Sequence, residues 1–155
     1  MNSLQPFIML CLLFSASMGC KQQSGNSAEA ESIAKIISLG GSVEHEGKDP
    51  LRPVVRIYLH RTSVSDPDLA VIRNFPRIQN LFLGHTKISD AGLTHLEQAT
   101  TLITLSLNGT AITDQGLIHL SGLKLLKTLN VQETQVTQDG IAALRSSLKD
   151  TVIAR

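Results

Sequence analysis

The sequence predicts an α/β solenoid: a short arc of four stacked units, with parallel strands on the concave face, short helices on the convex face and a helical cap in front. Three observations predict it. Residue columns recur every 24 positions from Ile57 onward. Inside each copy, an alternation with period two gives way to apolar residues three apart, the change from strand to helix. Thr, Ser, Asp and Gly separate the two patterns, as a turn and a helix start require. Ile57, Leu81, Leu105 and Leu129 form one column, and Leu59, Leu83, Leu107 and Val131 the next. Thr62, Thr86, Thr110 and Thr134 form a polar column, followed by Val64, Ile88, Ile112 and Val136. Leu69, Leu93, Leu117 and Ile141, then Ile72, Leu96, Leu120 and Leu144, complete the set. A period of this length means units that bury their apolar faces only against one another.

Residues 1–20 are of another kind. Phe7 to Ala16 is mostly apolar and too short to span a bilayer, and Ser17-Met18-Gly19-Cys20 follows. This predicts an export signal. Gly19-Cys20 resembles the end of a bacterial lipobox, which implies lipidation at Cys20. The stretch departs from that pattern in having no Lys or Arg in Met1 to Pro6 and Ser17 three before the Cys. Residues 21–27 are expected to be a flexible tether, leaving the domain anchored to a bacterial membrane on its periplasmic or outer face without crossing it.

Residues 28–53 read as an N-terminal cap. Ala28 to Leu39 carries Ile33, Ile36 and Ile37 on one helical face, and Gly40-Gly41 stops the helix in a left-handed cap. Ser42 to Glu46 is expected to be an edge strand, and Gly47 to Pro50 a turn. Residues 54–155 hold the four repeats and a C-terminal cap, with Leu148 to Ile153 lying across the last unit.

The third copy shows the unit best. Leu105 and Leu107 alternate with Thr104, Ser106 and Asn108, a strand with one buried face. Thr113 is suited to cap a helix N-terminus, Asp114 complements its dipole, and Leu117, Leu120 and Leu123 form its buried stripe. Strands joined by helical crossovers lie parallel. Leu102, Leu105, Leu107, Thr110 and Ile112 resemble the leucine-rich repeat family, with Thr where most members have Asn or Cys. The form L-x-L-x-x-T-x-I-T/S-D-x-G-L looks like a bacterial 24-residue subclass and is similar to the repeats of F-box-type substrate receptors.

Two further columns call for a reason. Each Thr hydroxyl in the polar column needs a backbone partner in its own or the neighbouring turn. Gly92, Gly116 and Gly140 in the first helical turn imply close approach of the neighbouring unit's backbone. The first copy has Asp68 there, beside Pro67, and the last has Gln138 where the others have Asp66, Asp90 and Asp114.

Composition narrows the function. The chain has 155 residues, 14 basic against 13 acidic, and 3% aromatic residues, which argues against nucleic acid. Cys11 and Cys20 lie within the signal, so the mature domain has no disulfide or thiolate metal site. His95 and His119 are 24 apart, a consequence of the period rather than a ligand set, and stacking between them on the solvent side is expected. No catalytic constellation, metal site or cofactor motif is present in the sequence. Asn108-Gly109-Thr110 matches a glycosylation sequon that the repeat itself explains.

The outward strand residues are therefore the candidate binding face: Arg56, Tyr58 and His60; Asn80, Phe82 and Gly84; Thr104, Ser106 and Asn108; Thr128, Asn130 and Gln132. Tyr58 and Phe82 share a column on adjacent strands, and Gly84 is expected to leave room beside them for a partner's side chain. The reading is a non-enzymatic module for an unknown protein or peptide. A structural, self-associating envelope role is the alternative, and a substrate-receptor role is more remote, since no F-box-like segment precedes the repeats and the signal directs export.

Overall fold

The computed structural model describes residues 25–47, 49 and 51–155. The signal, Cys20 and the start of the expected tether lie outside the described residues. Among the described residues, six strands form one sheet in chain order: β1 (Ser42–His45), β2 (Val54–Tyr58), β3 (Asn80–Phe82), β4 (Thr104–Ser106), β5 (Thr128–Asn130) and β6 (Val152–Ala154). From β2 to β6 every pair is parallel and offset by 24 residues, with Ile57, Leu81, Leu105, Leu129 and Ile153 facing one another in turn. The fold is a leucine-rich-repeat solenoid, with strands on one side and helices on the other. The apolar columns fill the space between, and most of their members are fully buried.

β6 departs from expectation. The C-terminal segment does not lie across the last unit. It adds a fifth parallel strand, because Ile153 falls one period after Leu129 and keeps the register. Arg155 occupies the column of Leu107 and Val131, and its Nε donates to the Val136 carbonyl at 2.8 Å. In the earlier units the equivalent carbonyls of Val64, Ile88 and Ile112 accept backbone N–H groups from Lys87, Ala111 and Gln135. A guanidinium thus takes the place that a backbone amide fills in the earlier units.

At the other end, α1 (Gly25–Ser38) begins three residues before the expected Ala28. It closes in a Schellman turn, with Gly40 at φ +85° and the Gly41 N–H reaching the Ile36 carbonyl at 2.9 Å. Its buried face is Ser32 and Ile36, flanked by Ile33; Ile37 points outward and is 59% exposed. Ser32 replaces Ile37 on that face because its hydroxyl is satisfied, donating to Ala28 O and accepting from Asn74 Nδ2. β1 pairs antiparallel with β2 and covers the first edge of the parallel stack.

The helical side is more tightly wound than a simple helix pattern implies. The first unit has a 3-10 helix over Asp66–Asn74. α2 (Asp90–Leu93) and α3 (Asp114–Leu117) each run directly into a 3-10 turn, and α4 (Gln138–Ser147) is a continuous α-helix. A 24-residue unit leaves few residues for the crossover, and 3-10 winding covers more length per residue.

What locks unit to unit is a carboxylate clamp. Asp66 accepts from both the backbone N–H and the hydroxyl of Ser89, at 2.7 and 2.6 Å. Asp90 does the same with Thr113, and Asp114 with Thr137. The Thr137 hydroxyl and then its N–H hold the Asp114 carboxyl below the usual carboxylate range. This corrects the reason for the glycine column. A Cβ at Gly92, Gly116 or Gly140 would meet the carboxylate of Asp66, Asp90 or Asp114 of the preceding unit, a side chain rather than the backbone. The first unit has no preceding carboxylate. Its Asp68 accepts from the Ser65 N–H and hydroxyl and pairs with Lys35 of α1 at 3.0 Å.

The Thr column bonds within its own turn. Thr62, Thr86, Thr110 and Thr134 donate to the carbonyls of Leu59, Leu83, Leu107 and Val131, three residues back. Thr110→Val is expected to cost about 1–3 kcal/mol, since it leaves a buried carbonyl short of a donor. Urea melts check this, and an unchanged midpoint would contradict it. Beside this column runs one that sequence reading missed. Arg61, His85, Gly109 and Glu133, each 24 apart, all have φ between +54° and +66°. Only Gly109 carries the residue type that marks such a turn.

Candidate binding face

In-register parallel pairing brings the predicted face residues into rows across the sheet. Arg56, Asn80, Thr104 and Thr128 form one row; Tyr58, Phe82, Ser106 and Asn130 form the next. His60, Asn108 and Gln132 follow just past the strand ends, where the ladder continues through His85 N–H to Asn108 O and Gly109 N–H to Gln132 O. β6 extends the rows with Val152, 70% exposed, and Ala154. His60, Thr128 and Gln132 are exposed, and Asn80, Phe82, Thr104, Ser106, Asn108 and Asn130 are half-buried.

The aromatic pair is a stack. The Tyr58 and Phe82 rings lie 5.0 Å apart between centroids and 2° from parallel. That separation matches the spacing of neighbouring strands, about 4.8 Å, so the sheet itself sets the stacking distance. β1 fixes the outer ring. Glu44, a residue that sequence reading did not place in the site, accepts from the Tyr58 hydroxyl at 3.2 Å and from Arg56 Nη1 at 2.8 Å. Its pairing with Arg56 holds the Glu44 carboxyl below its usual range. Burial, then the Glu44 charge, pushes the Tyr58 phenol up. The signal was present in the alternation of Ser42 to Glu46, but the antiparallel register that sets Glu44 opposite Arg56 is not legible without the fold.

Gly84 does not leave room for a partner. The Asn108 carboxamide lies where a Gly84 side chain would be, with Nδ2 3.2 Å from the position of a Cβ. Asn108 is held there by Ser106 Oγ, which donates to its Oδ1 at 2.8 Å, and by His85 Nε2, 3.0 Å from its Nδ2. Gln132 N–H donates to Asn130 Oδ1 at 3.0 Å. A groove of about 700 Å³ borders the face at β1 and is lined by Glu44, His45, Glu46, Gly47, Val55, Arg56 and Gln79.

His119 Nδ1 lies 2.6 Å from Glu97 Oε1 of the preceding unit. His95 Nδ1 is buried without a partner. Among the described residues, no three His, Cys, Asp or Glu side chains cluster as metal ligands would. No helix among them is long and apolar enough to cross a membrane.

A family model, the leucine-rich repeat, matches residues 98–121, one full period of the stack. Residues 98–121 are thus similar to a leucine-rich repeat. The matched segment contains β4 and α3, and the same register places the other units on the same pattern. Among solved structures, the chain is similar to an internalin from Listeria monocytogenes, with 19% sequence identity and a TM-score of 0.45. The alignment covers 64% of this chain and 34% of the internalin, so the chain spans about a third of that protein's length. No curated protein matches.

Proposed function

We propose that this chain is a non-enzymatic binding module whose strand face recognises a protein or peptide, exported and tethered to a bacterial membrane by a lipid on Cys20. The observation that carries the reading is the Tyr58–Phe82 stack. It presents two aromatic rings on a sheet whose rows are otherwise polar from β2 to β5, the outer ring held by Glu44. Aromatic anchors of this kind dominate protein interfaces, and ordering them in advance lowers the cost of binding. The face is small beside the roughly 20–30 residues per side of a standard interface. It suits a peptide-like or weak contact, or a partner that also grips the groove beside β1. Export and lipidation rest on the apolar segment and on Gly19-Cys20.

A structural, self-associating role is the second reading, favoured by the exposed Val152 on β6. The pair Tyr58→Ala with Phe82→Ala separates the two. Both rings are half-buried on the sheet surface, outside the buried core, so the fold survives their removal. Under the first reading, pull-down of the partner is lost while the melting curve stays close to wild type. Retained pull-down, or binding only to further copies of the chain, counts against it.

A further inference from the structure

We propose that the strand face holds a slot for one neutral planar ring of the partner, over Ser106 and against the open face of Phe82, so that the bound segment inserts a tyrosine or phenylalanine side chain there. This rests on the reading of the strand face as the binding surface and names the chemistry that it takes.

The row supplies the geometry. Tyr58 covers one face of Phe82, and the other face looks along the row toward Ser106. Ser106 is short, and the next long side chain in the row is Asn130, two strand spacings from Phe82, about 9.6 Å. A ring needs about half of that on each side, the spacing that Tyr58 and Phe82 already keep. The polar groups around the gap are tied back. Ser106 Oγ is turned to Asn108, Asn108 leans over Gly84 toward His85, and Asn130 Oδ1 accepts from the backbone of Gln132. None of these bonds runs across the gap.

Charge complementarity selects the ring. The formal charges at this end of the face, Arg56 and Glu44, are paired with each other, and the rest of both rows is uncharged. A guanidinium stacked there would find no counter-charge, whereas a neutral ring matches the face and extends a two-ring stack to three. A saturated ring lacks the flat face that the stack requires.

The test is NMR of the isotope-labelled full chain titrated with p-cresol, the side chain of tyrosine, against cyclohexylmethanol and guanidinium chloride. The expected result is a saturable upfield shift of the Ser106 amide and Phe82 ring protons with p-cresol, not matched by the other two probes. Ser106→Phe, which fills the slot, abolishes that shift. Phe82→Leu, which removes the platform, abolishes it at Ser106 as well and serves if the first variant does not fold. No saturable shift in the wild type, equal shifts with cyclohexylmethanol, or a shift that persists in Ser106→Phe would overturn the proposal. The slot and the binding face can fail separately. A protein partner held equally by the wild type and Ser106→Phe removes the slot and leaves the face reading standing.

Discussion

Gly116→Ala is expected to destabilise the domain by about 2–4 kcal/mol, far more than an ordinary helix substitution, which at this residue would favour Ala by about 1 kcal/mol. The sign reverses because the new methyl group meets the Asp90 carboxylate, with the Leu93 side chain 3.1 Å away. Asp90 cannot move aside without releasing the N–H and hydroxyl of Thr113. Both the overpacking and the unmade hydrogen bonds are therefore included in the cost. The cause is testable by a double-mutant cycle. Asp90→Ala alone costs about 1–3 kcal/mol through the unpaired Thr113 groups. In that background Gly116→Ala should cost little, since the obstructing carboxylate is gone, and the coupling should exceed about 1 kcal/mol. Additive effects in denaturant melts would show that the glycine serves something other than the clamp.

Leu105→Ala is the second large effect, expected at about 2–5 kcal/mol. Leu105 is fully buried and stands between Leu81 and Leu129 in the middle of the stack. Truncation leaves a cavity that neither neighbour can fill, because each is fixed by its own strand. In a one-dimensional array the middle interface matters most. Weakening it leaves short halves on either side, and about three repeats are needed for stability. Ile153→Ala removes the same column's last member, which is half-buried with one neighbour, and should cost markedly less. Equal losses for the two variants would contradict a stack stabilised by nearest-neighbour packing.

These two predictions also mark how far the sequence could be read. The period placed the strands, the core columns and the outward rows, because apolar burial repeats wherever the geometry repeats. It did not assign the clamp. Asp90 and Gly92 stand two apart in one turn, so they read as local helix-start residues. The contact that explains the glycine column runs instead from Asp90 to Gly116, one unit on. β6 went unseen because Arg155 stands where Leu or Val marks the column, and only the fold shows that its guanidinium completes the last turn. The left-handed turn at Arg61, His85 and Glu133 was hidden, since three of four copies lack the glycine that would announce it. On the candidate face, the aromatic row was legible from column position. Its attachment to Glu44 depended on an antiparallel register between a short edge strand and the first repeat. The space expected at Gly84 failed for a related reason. Asn108 was assigned outward, but it folds back over the neighbouring strand to reach His85.

The most direct measurement is photo-crosslinking from position 82 in the native cell, with mass spectrometry of the adducts. A photoreactive phenylalanine analogue keeps the ring beside Tyr58 and reports what lies against its open face. One foreign protein or peptide captured there, and lost when Ser106 is replaced by Phe, is the predicted result. Adducts only with further copies of this chain, or none at all, would contradict a recognition role for the strand face.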